Sequence, residues 1–486
     1  MCVALPSTIL EKDMALYELS AKEILEKIRS RELSCVEVVT AFIERIKEVN
    51  PSINAIHQFY PDRILAEARI KDQDIAEGKN LGKLHGLPIS LKDAFYAPGF
   101  KGAKGCLHLF HASPTDKAAV AVKRILDEGA IILGITNAPE FCAAFETSNL
   151  LNGTTNNPYD LSRVPGGSSG GEAALIAAGG SCLGLGSDAG GSIREPAHYC
   201  GIAGFKPTKG LVPTTGNVPN DAGGLHISLL TFGPMARRVE DLELLLSVIS
   251  GADDGDPLSA PVPLQELSKV NTSNLRIVYF LDNGIVTPDA DTLRNLNLAI
   301  ECIRPYVASI TAVSVPDIFK ETYRLVWDTC FLGGDQGKLF FKSLEKIEDP
   351  KFALLYERHL KNVRASSFDN TELRFRIMQM HEYKQAFLNL MRSADILLCP
   401  VTATPAKLHG TTHDNLNDYT YAMMSNLTGA PAASINCGFS ESGLPIGMQI
   451  IGKPWEDHVV LAFAKKAQEV LGIPRVVNVN AASTPV

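Results

Sequence analysis

Between Pro165 and Pro196 the chain reads PGGSSGGEAALIAAGGSCLGLGSDAGGSIREP, two glycine-flanked serine sites around a short apolar segment. Gly166, Gly167, Gly170 and Gly171 surround Ser168 and Ser169, so the backbone there can approach a ligand closely or hold a strained geometry. In the second site Gly190 and Gly191 precede Ser192, which lets consecutive amide N–H groups converge on one point beside the hydroxyl. Such convergence is what an oxyanion hole requires. A helix opening after Ser192 would turn its positive end toward the same point. Ser192 is therefore the candidate nucleophile of an acyl transfer.

Three other readings attach to the same glycines. Gly184, Gly186 and Ala189 satisfy the loose dinucleotide pattern G-x-G-x-x-A, which would make this a nucleotide-binding module. No acidic residue lies between Gly201 and Asn220, where the ribose partner is expected. Gly166, Ser168 and Gly170 match G-x-S-x-G, but a nucleophile elbow needs a strand before it, and YDLSRVP at Tyr159 to Pro165 reads as a turn. Both loops also read as tight turns with solvated serines, although two of them within one segment weaken that reading.

The elements that must hold these loops alternate. Glu172 to Ala178 reads as a helix stopped by Gly179-Gly180, and Ser181 to Ser187 as a buried strand. Upstream, Ser20 with Glu23 and Ser34 with Glu37 form capping boxes for two helices, the second stopping near Asn50-Pro51. Asp62 to Glu77 is a further helix, Leu87 to Lys92 a strand, Asp116 to Glu128 a helix and Ala130 to Ile135 a strand. A leucine-rich helix spans Val239 to Ser250, and Arg276 to Leu281 returns as a strand. Positions 289–393 read as mainly helical, covering or shaping a pocket. Strands resume at Asp395 to Pro400, Ala432 to Cys437 and Pro445 to Ile451, before a helix at Asp457 to Leu471. This is the α/β pattern of a sheet covered by helices, and strands at both ends imply one interleaved domain over 1–486.

With 46 Lys+Arg against 54 Asp+Glu in 486 residues, the chain is mildly acidic, and no basic run suits nucleic acid or anionic lipid. Its ten cysteines contain no C-x-x-C metal or redox motif and read as free thiols. His409 and His413 lack the helical H-E-x-x-H context, so no metal is expected. The N-terminus MCVALPSTILEKDM lacks a basic start and long apolar run. A cytoplasmic protein without an integral membrane segment is expected. A homodimer stays open.

These stretches resemble the amidase signature family of serine hydrolases. The resemblance rests on GLPISLKD at Gly86 to Asp93, PGGSSGGE at Pro165 to Glu172, GSDAGGSIREPA at Gly186 to Ala197, CGIAGFKPTKG at Cys200 to Gly210, GPMARRVEDL at Gly233 to Leu242 and GLPIGMQIIG at Gly443 to Gly452. It covers nearly the whole chain, most strongly 80–250 and 393–471. It implies a single large mixed β-sheet sandwiched between helices and a Ser-Ser-Lys triad without cofactor. Matched motif to motif, Ser192 is the nucleophile, Ser168 the bridging serine and Lys92 the base. Amides of Ala189, Gly190, Gly191 and Ser192 would form the oxyanion hole, with Asp188 and Arg194 bracing that loop and Ser169 a supporting hydroxyl. Phe141, Phe145 and Leu150 are candidate pocket wall.

The chemistry can also be argued from the side chains. A serine hydroxyl is a poor nucleophile until something accepts its proton, and a lysine accepts only while neutral. Lys92 must therefore be buried, with few carboxylates near it, and Asp93 in the same strand should point the other way. The wording of the core is closer to fatty acid amide hydrolases than to the amidotransferase component that acts on charged tRNA. Two donors follow: a small-molecule acyl or aryl amide cleaved by the chain alone, or glutamine feeding ammonia to a partner-bound acceptor.

Overall fold

A computed structural model describes residues 15–110, 114–218, 224–344 and 350–479. The N-terminal stretch read for a leader, residues 1–14, lies outside them. One mixed sheet contains β1 (Ile56–Phe59), β2 (Pro88–Lys92), β3 (Ile131–Thr136), β4 (Leu183–Asp188), β5 (Ala203–Lys206), β6 (Thr231–Ala236), β7 (Arg276–Tyr279), β8 (Ser309–Ala312), β9 (Ile396–Pro400), β10 (Ala432–Phe439) and β11 (Pro445–Ile451). Its spatial order is β1-β3-β2-β4-β6-β5-β10-β11-β9-β7-β8. β2 runs parallel to β3 and β4, and β7 parallel to β8 and β9. The other neighbours are antiparallel.

Every residue of β2, β3, β4 and β6 is buried. Strands buried on both faces need helices on both faces, and the expected α/β architecture is what the chain adopts. Pairing of β5 with β10 joins the glycine-rich half to the C-terminal half at the sheet's centre.

The capping boxes form as read: Ser20 Oγ accepts from Glu23 N at 3.0 Å and Ser34 Oγ from Glu37 N at 3.1 Å. The second helix, Cys35–Ile53, runs through Pro51 and ends where Asn54 turns left-handed at φ 48° and donates to Asn50 O. Positions 289–393 are less purely helical than expected. They include the edge strand β8 and a π-helical segment at Arg324–Phe331, neither of which leaves a periodic signature. Among the described residues eight cysteines are free; Cys302 is disulfide-bonded, against the expectation of thiols throughout.

Candidate active site

Lys92 ends β2, a strand paired on both sides, and its side chain is wholly buried. Its Nζ is hydrogen-bonded to Ser168 Oγ at 2.7 Å, Ser187 Oγ at 2.9 Å and Ser187 O at 3.2 Å. A neutral amine has two hydrogens and one lone pair, so a hydroxyl can supply one of these bonds by donating back into nitrogen. Burial holds Lys92 below the ordinary lysine range, while Cys142, Asp188 and Glu172 pull it upward and Lys104 pushes it down. Asp93, next in sequence, faces elsewhere: its carboxylate accepts from Ala103 N at 3.0 Å and Gly105 N at 2.9 Å.

Glu172, on the helix Gly170–Ala177, lies behind β2 and β4 and accepts from Ser90 Oγ and, at 2.8 Å, from Thr136 Oγ1. Burial raises its carboxyl to about 7 against those hydrogen bonds, which limits the counter-charge it offers Lys92. Gly184 makes room for it, since a Cβ there would stand 1.8 Å from Glu172 Oε1. Gly184 and Gly186 thus sit inside a strand for close helix–sheet approach, and the nucleotide pattern loses its structural context.

The two serine loops are joined directly. The Gly167–Ser168 peptide is cis, and Ser169 donates its N–H to Ser192 O at 3.2 Å and its hydroxyl to Ser187 O at 3.3 Å. Ser168 and Ser192 line one small cavity. Among the described contacts their hydroxyls are not hydrogen-bonded to each other; such relay bonds commonly tighten only around substrate.

Asp188 and Arg194 form a fully buried pair, with Nε to Oδ2 at 3.0 Å and Nη2 to Oδ1 at 2.9 Å. Burial alone would raise the Asp188 carboxyl, but Arg194 and the Asn426 amide hold it well below the usual range. Its oxygens also accept from Gly191 N at 2.8 Å and Ile193 N at 3.1 Å. This corrects one expectation: the Gly191 amide is committed to Asp188 and does not face the pocket. Of the four amides expected to meet an oxyanion, those of Ala189, Gly190 and Ser192 are not taken up by Asp188. Gly191 still has to be glycine, because it holds φ 119°.

Beside the small cavity lies a larger one of about 220 Å³, which shares Phe141, Cys142, His226 and Phe331 with it. Phe340, Tyr356, Leu360 and Val363 extend its apolar wall, and among the described residues Asp335 is the one carboxylate that lines it. Phe145 sits beside Ser192 in a third, narrow space and stacks on Tyr419 at 3.8 Å. Leu150 is misplaced by the sequence reading. It is 49% exposed on the turn after Asn149, where only its N–H reaches inward, to Glu140 Oε1. Sequence reasoning missed Phe331 and Trp327, which the π-helical segment turns toward Ser192. It also missed Lys104, a buried lysine lining the cavity of Ser168 and Ser192. Among the described residues no cluster suits a metal ion, and no helix is long and apolar enough to cross a membrane.

Comparison with known proteins gives a consistent family. The Amidase family profile matches residues 37–461. The A subunit of glutamyl-tRNA(Gln) amidotransferase from Carboxydothermus hydrogenoformans is 36% identical over 484 residues, covering 93% of this chain and 97% of that one. Its counterpart in a Sulfurihydrogenibium species is 32% identical, covering 94% and 98%. Among solved structures, a fatty acid amide hydrolase superposes with a TM-score of 0.85 at 27% identity, covering 96% of this chain and 87% of that one. A bacterial aryl acylamidase superposes with a TM-score of 0.84 at 25% identity, covering 97% and 100%.

Proposed function

The chain belongs to the amidase signature family, enzymes of amide C–N bonds, and from that premise we propose that it cleaves a carboxylic acid amide through an acyl-enzyme on Ser192. The observation that carries this reading is the Lys92 amine, buried and 2.7 Å from Ser168 Oγ, in a site that Ser168 shares with Ser192. Neutral Lys92 takes the Ser168 proton as Ser168 takes that of Ser192, and Ser192 Oγ bonds to the amide carbon. The oxyanion rests on the amides of Ala189, Gly190 and Ser192. The C–N bond breaks as the relay returns the proton to the leaving nitrogen, and water then releases the acid by the same relay in reverse.

For the donor, the curated relatives favour glutamine: the full-length matches at 36% and 32% identity are glutamyl-tRNA(Gln) amidotransferase components. They support that reading over the fatty acyl one, and it requires a partner protein to receive ammonia. A specific observation favours a second reading. The cavity beyond Ser192 is walled by Phe141, Phe331, Phe340, Tyr356 and Leu360, which suits an apolar or aryl acyl group better than a zwitterion.

One experiment separates them. Ammonia release is measured from glutamine and from primary amides of increasing acyl length, including aryl amides, with Ser192→Ala as the blank. A preference for glutamine supports the amidotransferase-like role. A kcat/KM that climbs with apolar length supports the free-standing amidase. No cleavage of any amide overturns the reaction proposed for the isolated chain.

A further inference from the structure

Resting on the relay just described, we propose that Glu195 is a positioning residue that holds the Ser168 loop against the nucleophile loop through a hydrogen-bond acceptor. Its main chain belongs to the nucleophile side: it lies in the helix Arg194–Tyr199, and its N–H donates to Gly191 O at 2.8 Å. Its side chain belongs to the relay side. Oε2 accepts from Gly167 N, one residue before Ser168, at 2.8 Å. The loop is packed onto this carboxyl: a Cβ at Gly166 would stand 2.6 Å from Oε2, and Thr147 Oγ1 holds Gly166 O from another side at 2.8 Å. One residue therefore spans the two loops whose separation sets the distance between relay and nucleophile.

Acceptor strength, not charge, is what this position uses. Glu195 is wholly buried, and its second oxygen, Oε1, has no hydrogen-bond partner among the described residues. An ionised carboxylate with one oxygen unsatisfied in such a place costs far more than the neutral acid does. Burial raises the group well above the carboxylate range; the Gly167 N–H and the charge of Lys407 oppose that shift, and Asp188 adds to it. Asp188 is the contrast: a buried carboxylate that keeps its charge because Arg194 faces both of its oxygens.

Two variants test this. Glu195→Gln keeps the acceptor and the shape, and Glu195→Met keeps the shape without the acceptor. The readouts are kcat and KM on the best amide, and the rate at which a fluorophosphonate labels Ser192, with Ser192→Ala as the blank. Expected is Glu195→Gln within about twofold of the parent, and Glu195→Met slower in kcat and labelling by about 10- to 100-fold at nearly unchanged KM, the scale of a misplaced relay. Labelling of Glu195→Met at the parent rate overturns the proposal, as does Glu195→Gln impaired as much as Glu195→Met. If Glu195→Met does not fold, Glu195→Gln decides alone: parental kcat and labelling support the acceptor role, and a loss of about tenfold overturns it. A parent that neither cleaves amides nor is labelled overturns the catalytic reading, and this inference with it.

Discussion

Ser169 donates its backbone N–H to the carbonyl of Ser192 at 3.2 Å. This bond couples the two serine loops, and the hydroxyls of Ser168 and Ser192 line one cavity.

If that pair performs the reaction, removing its members should have graded effects. Ser192→Ala should abolish turnover, a loss of about 10³-fold or more in kcat. Ser168→Ala should cost about 10²- to 10⁴-fold, the range of a lost proton relay. Steady-state ammonia release measures both, and a Ser168→Ala variant as active as the parent removes Ser168 from the mechanism.

The pH profile should follow Lys92. Only the neutral amine accepts a proton, so kcat/KM should rise with pH, with a midpoint below the ordinary lysine range because burial lowers it. Glu172 pulls that value up, so Glu172→Gln should move the limb to lower pH. A limb displaced upward contradicts this electrostatic account.

Stability should carry the same signature. Because the folded-state pKa of Lys92 is depressed, the unfolded chain binds more protons between that value and the unfolded one, and stability rises with pH across this window. Lys92→Met lacks this slope. Urea denaturation should show the difference between the variant and the parent changing in the parent's favour from neutral pH toward about 10, where unfolded lysine loses its proton. Parallel curves contradict a buried neutral amine.

Breaking the Asp188–Arg194 pair should be expensive. Arg194 also donates to Ala422 O at 2.6 Å, Ser425 Oγ at 2.6 Å and Asn426 Oδ1 at 2.7 Å, so Arg194→Ala leaves several buried acceptors and one charge unpaired. A loss of about 3–5 kcal/mol is expected in denaturant melts, with collapse of activity.

The apolar wall should decide the acyl preference. Phe340→Ala enlarges the cavity away from Ser192, so long or aryl acyl groups should gain over short ones. A discrimination change of about 1–3 kcal/mol is the scale of such pocket edits, read as ratios of kcat/KM.

Much of this was legible in one dimension because it is local. Glycines beside Ser168 and Ser192 announce unusual backbone at those residues, capping boxes announce helix starts, and alternating elements announce a covered sheet. Motif resemblance added Lys92, 76 positions from its partner Ser168. What only the tertiary structure decided is where backbone and side chains are spent once packed. The Gly191 amide is consumed by Asp188 three residues away. Leu150 is on the surface although Asn149 before it is buried. Phe331 reaches Ser192 from a π-helical turn without a readable period. Glu195 grips Gly167 across 28 positions. Hydrogen-bond commitments and burial depend on which distant elements meet, and sheet order brings those together; adjacency in the chain does not encode it.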